Sequence, residues 1–212
     1  MKIVSVIPAR GGSKGIPFKN LVDINGKPLI WYSINTSLNS CVDETWVSTN
    51  DKEIEKVSLE LGAHVRIRPD YLCGDVIMPD PSLLHFSESV EFDILVFIQP
   101  TSPLIKFEYI NSAIDKLLWN DYDSIFSVCR EHWLPRWDIG GNPVNWDIYK
   151  RPRRQDMKEL FIENGMFYIS TRECLIKNQL RYGGNIGLFE VPIYDSFQVD
   201  SLEDLELIRR LI

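Results

Sequence analysis

The sequence is poor in the residues that build metal centres and redox pairs. Its four cysteines, Cys41, Cys73, Cys129 and Cys174, are scattered with no C-x-x-C pair, and its three histidines, His64, His85 and His132, have no metal-ligand spacing. That argues against zinc and disulfides and for reduced thiols in a cytoplasmic protein. No apolar run is long enough to cross a bilayer. The first residues lack the basic, apolar, small-residue order of a signal peptide. Neither a Walker A loop nor a G-x-G-x-x-G dinucleotide fingerprint is present. Repeats and low-complexity linkers are missing too. A net charge of -7 argues against general nucleic-acid binding. The last absence is local: Met1 to Val22 contains no acidic residue, while Lys2, Arg10, Lys14 and Lys19 are all cationic.

A cationic opening in an acidic chain calls for a local reason. The apolar run Ile3–Ile7 reads as a buried strand, and Arg10-Gly11-Gly12-Ser13-Lys14-Gly15 follows it as a glycine-rich loop. Glycines let backbone N–H groups approach a ligand closely. With Lys and Arg nearby, such a loop forms a nest for an anion, and a polyphosphate is the natural guest. The same residues also suit a tight turn with solvated cations.

At 212 residues and 44% hydrophobic, the chain can bury a real core and fits one domain, residues 1–212. Short β runs alternate with helical stretches, which predicts an α/β fold with a mainly parallel sheet covered by helices. The expected strands are Ile3–Ile7, Glu44–Ser48, Val65–Ile67, Phe92–Ile98, Asp123–Cys129 and Leu188–Ile193, with Phe92–Ile98 the most apolar and central. The expected helices are 29–39, started by Pro28, then 51–61, ended by Gly62, then 107–119 and 202–211. Polar clusters recur where parallel strands should end: the basic loop, Asn50-Asp51, Arg68 to Asp75, and Gln99-Pro100-Thr101-Ser102-Pro103-Leu104. Ligands of open α/β sheets bind beyond that edge. Each stretch also has a plainer reading: a surface turn with a local Arg68–Asp pair, and Ser102 as a helix N-cap. Residues 130–149 are rich in aromatics without periodicity, which suggests a partner surface. Lys150 to Arg154 holds four cations in five positions, suited to a carboxylate or phosphates or simply a solvated loop.

Several of these stretches carry a resemblance. Pro8-Ala9-Arg10-Gly11-Gly12-Ser13-Lys14-Gly15-Ile16-Pro17-Phe18-Lys19-Asn20 resembles the signature of the CMP-sugar synthetases that activate acidic 2-keto sugars. These are the acylneuraminate cytidylyltransferases and their legionaminate and pseudaminate relatives. Arg68-Pro69 through Asp75 resembles the family's R-P-x-x-L-x-x-D, and Gln99 to Leu104 matches its Q-P-T-S-P-L in full. Lys150 to Asp156 resembles K-R-P-R-R-Q-D, and Glu163 to Tyr168 resembles E-N-G-x-F-Y. Asp195 to Asp200 resembles the D-I-D metal motif, with Asp200 as the second aspartate and Gln198 in place of the first. The likeness runs from Ile7 to Leu207 with the motifs in the family's order.

The resemblance implies a single-domain Rossmann-like three-layer sandwich with a mixed, mostly parallel sheet, and an arm at roughly residues 130–158 that dimerises over the neighbour's site. It implies that CTP and an acidic 2-keto sugar give a CMP-sugar and pyrophosphate, with Mg²⁺ as cofactor. Lys19 and Arg10 would be catalytic. Arg10, Gly11, Gly12, Ser13, Lys14, Lys19, Asn20 and Arg68 would bind the nucleotide. Gln99, Thr101, Ser102, Arg153, Arg154 and Asn164 would hold the sugar. Asp200 would hold the metal, or belong to the N-cap region of the last helix. Departures from the pattern matter as well. Ile162 stands where some bacterial sialate enzymes place an arginine, which shifts the carboxylate role to Arg153 or Arg154 or points to another acid sugar: legionaminate, pseudaminate or 3-deoxy-octulosonate. Met78-Pro79-Asp80 stands where the family often has a serine that contacts the base, so selectivity for cytosine follows from the resemblance and not from these residues. Gln198 removes one anionic metal ligand, which leaves open a nucleotide-binding homologue without catalysis.

Overall fold

The computed structural model describes residues 1–13, 15–74, 77–132 and 134–212. Lys14 and Asp75, both named above, therefore lie outside the described residues.

The strands in chain order are β1 (Ile3–Pro8), β2 (Asp23–Ile24), β3 (Lys27–Pro28), β4 (Glu44–Thr49), β5 (His64–Ile67), β6 (Ile94–Ile98), β7 (Ser124–Arg130), β8 (Arg136–Trp137), β9 (Pro143–Val144), β10 (Phe161–Thr171) and β11 (Ile186–Glu190). The helices are α1 (Leu29–Leu38), α2 (Lys52–Glu60), α3 (Asp80–Ser87), α4 (Phe107–Trp119), α5 (Arg172–Asn178) and α6 (Leu202–Leu211). Seven strands form one sheet in the order β11-β7-β10-β6-β1-β4-β5. β1 pairs in parallel with β4 and β6, β4 with β5, and β7 with β11. β10 alone runs antiparallel, to both β6 and β7. The α/β class and the mixed, mostly parallel sheet agree with the sequence reading, and β6 is its middle strand.

Alternation along the strands makes the three layers. Ile3 and Ile7 of β1 and Ile94, Val96 and Ile98 of β6 face α1, α2 and α4. Val4, Val6, Leu95 and Phe97 face α3 and α5. Every residue of β6 is buried, as a strand covered on both faces requires. A third cluster joins Ile16, Ile24 and Leu29 to Val199, Leu205 and Ile208. It clamps the basic loop under α6.

Some local expectations change. α3 and α5 are absent from the sequence reading. The last strand is Ile186–Glu190, earlier than expected, because Val191 leaves the sheet for the short turn Ile193–Asp195. Ser102 is not an N-cap, since α4 begins after Lys106. Asn164-Gly165 lies inside β10, at an irregularity where the register with β7 shifts between Glu163 and Tyr168. There Gly165 takes φ +71°, a backbone that favours glycine. The N-cap of α6 is Ser201, in a capping box with Asp204, and Asp200 precedes it.

Residues 131–160 leave the sheet between β7 and β10, whose ends meet again at Phe161 opposite Arg130. Among the described residues of this stretch none is buried. Trp137 packs edge-on to Trp146, while Ile139 and Tyr149 are almost wholly exposed.

Candidate functional site

A cavity of about 560 Å³ opens beyond the carboxyl ends of β1 and β6, lined among others by Arg10, Ser13, Lys19, Asn20, Arg68 and Gln99. That is where an open α/β sheet binds its ligands. Four separate segments converge there: the loop after β1, residues 68–82, the loop after β6, and residues 198–200.

The first segment is held by its own sequence. Asn20 donates from Nδ2 to the Arg10 carbonyl at 3.0 Å, which closes the loop on itself. Ile16 is buried beneath α6. Gly11 donates from its N–H to Asn50 Oδ1 at 3.3 Å, and a Cβ on Gly11 would lie 2.5 Å from Asp51 Oδ2. A Cβ on Gly15 would lie 2.9 Å from the Asp200 carbonyl oxygen. These close approaches, rather than a general need for flexibility, account for glycine at those two positions.

The cavity wall carries more positive than negative side chains. Among the described lining residues, Arg10, Lys19 and Arg68 face one carboxylate, Asp200. Such an excess of positive charge stands out in a chain of net charge -7. Arg10 Nη1 donates to the Cys73 carbonyl at 3.0 Å. Lys19 Nζ lies 2.9 Å from Asp200 Oδ1. Arg68 is only 6% exposed, and burial pushes its guanidinium below the ordinary value. Nη1 of Arg68 donates to Ser82 Oγ at 3.0 Å, and its Nε is buried without a partner. Among the described residues no Arg68–Asp pair forms, and Asp70 accepts from Asn50 Nδ2 at 3.1 Å. A buried cation with an unsatisfied donor is stabilised by a ligand that brings negative charge or acceptors.

The sugar-side expectations divide. Gln99 and Thr101 line the cavity. Ser102 and Asn164 lie behind it, both hydrogen-bonded to Gln198 Nε2, at 3.1 Å and, through the Asn164 carbonyl, 2.7 Å. Gly11 and Gly12 shape the loop without lining the cavity. Arg153 and Arg154 are exposed on the 131–160 excursion, where Arg153 pairs with Asp156 at 2.7 Å, and neither lines the cavity.

Sequence reasoning missed part of the wall. Leu72, Ile77, Met78, Pro79 and Phe97 give it an apolar side, which suits a nucleoside better than a triphosphate alone. Ser82, two residues beyond Met78-Pro79-Asp80, supplies a hydroxyl from the first turn of α3.

Asp200 is the one carboxylate among the described lining residues. The described residues contain no group of three His, Cys, Asp or Glu side chains able to hold a metal by themselves. Magnesium takes one or two carboxylates and completes its shell with substrate phosphates and waters, so Asp200 fits as the protein's share. Asp195 does not reach the cavity. It is buried and accepts from Lys106 Nζ at 2.7 Å and from the Tyr109 hydroxyl, fastening the segment that leads to Gln198 onto α4.

A family model described as cytidylyltransferase matches residues 4–211. The chain is 37% identical over 207 residues to N-acylneuraminate cytidylyltransferase A of Danio rerio, a match covering 93% of this chain and 48% of the fish protein. The chain thus spans about half the length of that relative. It is 28% identical over 223 residues to pseudaminic acid cytidylyltransferase of Campylobacter jejuni, covering 100% of this chain and 96% of that one. Among solved structures, a CMP:2-keto-3-deoxy-manno-octonic acid synthetase complexed with CTP superposes with a TM-score of 0.77 at 23% identity, covering 100% of this chain and 98% of the other. At that identity the likeness speaks for the fold.

Proposed function

This chain belongs to the cytidylyltransferase family, and from that premise we propose that it joins CTP to an acidic 2-keto sugar, giving a CMP-sugar and pyrophosphate. The anomeric oxygen of the sugar forms a bond to the α-phosphorus. The bond from that phosphorus to the bridging oxygen breaks, pyrophosphate leaves with its electron pair, and the hydroxyl proton passes to solvent. Chemistry of this kind needs positioning and charge more than covalent help.

The observation that carries the reading is the buried Arg68, its Nε without a hydrogen-bond partner, lining the same cavity as Arg10 and Lys19. In this reading Arg10, Ser13 and the Gly11-Gly12 backbone receive the triphosphate. Lys19 meets the charge that builds on the α-phosphoryl group. Asn20, Arg68 and Ser82 hold the nucleoside side against the apolar wall. Gln99 and Thr101 face the sugar, backed by Ser102 and Asn164. Asp200 would hold Mg²⁺, which supplies charge neutralisation for the phosphates. Arg153 and Arg154 would reach an acid sugar from the exposed arm, in a homodimer where each arm covers the neighbour's cavity. The uncovered aromatics of that arm support the homodimer. The free cysteines and a nucleoside triphosphate substrate suit the cytoplasm.

Pyrophosphate release measured with each nucleoside triphosphate against a panel of acid sugars tests this. Release is expected with CTP and one class of acid sugar. No release with CTP and any of them removes the proposal. A second reading, pseudaminic acid as the sugar, is favoured by the end-to-end match to the C. jejuni protein and by Ile162. The same panel decides between them.

A further inference from the structure

Gln198 stands at a position where the resembling family has an aspartate, yet its surroundings are those of a donor. Its Nε2 lies 2.7 Å from the Asn164 carbonyl oxygen, 3.1 Å from Ser102 Oγ and 3.3 Å from Gln99 Oε1. A backbone carbonyl can only accept, so the atom 2.7 Å from it must be the amide nitrogen, which fixes how this side chain is turned. The acceptors come from two elements, the loop after β6 and the irregular part of β10, and Gln198 comes from a third.

The backbone around this contact is shaped to admit it. A Cβ on Gly165 would lie 2.7 Å from Gln198 Nε2 and 3.0 Å from Gln99 Oε1. Gln99 donates from its N–H to the Met166 carbonyl at 3.1 Å, and Val199 donates to the Thr101 carbonyl at 2.8 Å. Asn164 accepts at Oδ1 from Ser127 Oγ at 2.6 Å and from the Met166 N–H at 3.1 Å, while its Nδ2 is buried with no partner. A buried amide donor left unmatched at the back of the sugar side is a place for an acceptor that arrives with a ligand.

We infer that Gln198 is a positioning residue for the acid sugar and not a metal ligand: its amide fastens Gln99, Ser102 and Asn164 into one patch beside the cavity. The inference rests on the reading that this cavity takes CTP and an acid sugar. Replacing the donor by an oxygen of the same shape sets that oxygen against the Asn164 carbonyl and frees Gln99 to turn away from the sugar.

The test uses Gln198→Glu in the whole chain. The variant is expected to raise KM for the acid sugar about tenfold or more. It should leave CTP binding by calorimetry and the Mg²⁺ concentration for half-maximal rate as in the wild type. A metal-facing residue gives the opposite pattern, in which glutamate lowers the Mg²⁺ requirement, and that result overturns the inference. So does an unchanged sugar KM. If the wild type releases no pyrophosphate with any acid sugar, the cytidylyl-transfer reading fails by itself. Hydrogen exchange then judges the fastening: Gln198→Met should speed exchange of the Gln99 amide, and an unchanged rate overturns it.

Discussion

Gly11→Ala isolates how the basic loop is held. Gly11 is not among the positive-φ glycines, so alanine meets no backbone penalty there. Its methyl carbon would instead lie 2.5 Å from Asp51 Oδ2, 2.9 Å from Asp51 Cβ and 3.0 Å from Asp51 Cγ. Asp51 cannot simply swing aside, because its Oδ1 accepts from the Glu53 and Ile54 N–H groups at 2.9 and 3.0 Å and so caps α2. Losing such a cap and overpacking the contact together destabilise by about 1–3 kcal/mol. For a chain of this size each kcal/mol moves Tm by about 2–4 °C, so a drop of about 2–12 °C is expected by circular dichroism. If the loop yields instead, Arg10 moves with it and CTP binding weakens. The decisive comparison is the double-mutant cycle with Asp51→Gly, which removes all three close atoms while keeping a tolerated N-cap. In that background the cost of Gly11→Ala should fall close to zero, a coupling of about 1–3 kcal/mol. Equal costs in both backgrounds would falsify the steric argument.

Three further outcomes are expected. Lys19→Ala should reduce kcat by about 10²–10³, with Tm nearly unchanged because its partner Asp200 is 64% exposed; wild-type pyrophosphate release by this variant removes the catalytic assignment. Arg68→Met should abolish detectable CTP binding by calorimetry while leaving Tm the same or higher, since a buried cation with a partnerless Nε is exchanged for an apolar chain; a large loss of Tm would mean that Arg68 is structural. The third concerns alkaline pH. The Asp195 hydrogen bond raises the Lys106 ammonium above its ordinary 10.5, and burial, with Asp195, raises the Tyr109 hydroxyl above 10.0. Both groups hold their protons more tightly folded than unfolded, so their contribution is complete below pH 10 and declines as pH rises past those values. Melting curves from pH 8 to 11 should fall more steeply for the wild type than for Tyr109→Phe, and parallel curves count against the cluster.

The fold was legible where the side-chain period was strong. Ile94 to Ile98 could only be a strand covered on both faces, and Asp51 with Gly62 marked the two ends of α2. α3 was hidden because Pro79 and Pro81 frame its first turn and only Leu83 and Phe86 mark its buried face. α5 is too short to show a period. At the site, the basic side of the cavity was readable because its glycines and cations are contiguous in the chain. Gln198 was not legible locally: its amide meets the Asn164 carbonyl, 34 positions earlier in the chain. No local pattern carries that pairing. The apolar wall escaped for the same reason, since Leu72, Met78 and Phe97 meet only once the sheet has formed.

The ends of β7 and β10 are already side by side, with Arg130 facing Phe161. Two antiparallel neighbours can be joined by a two-residue turn, so the sheet asks nothing of residues 131–160 beyond returning to their starting point. Closing so long a segment is entropically mild, since each doubling of a flexible loop adds about 0.6 kcal/mol. The scaffold therefore tolerates wide change in that excursion, in length and in sequence, with its buried layers untouched.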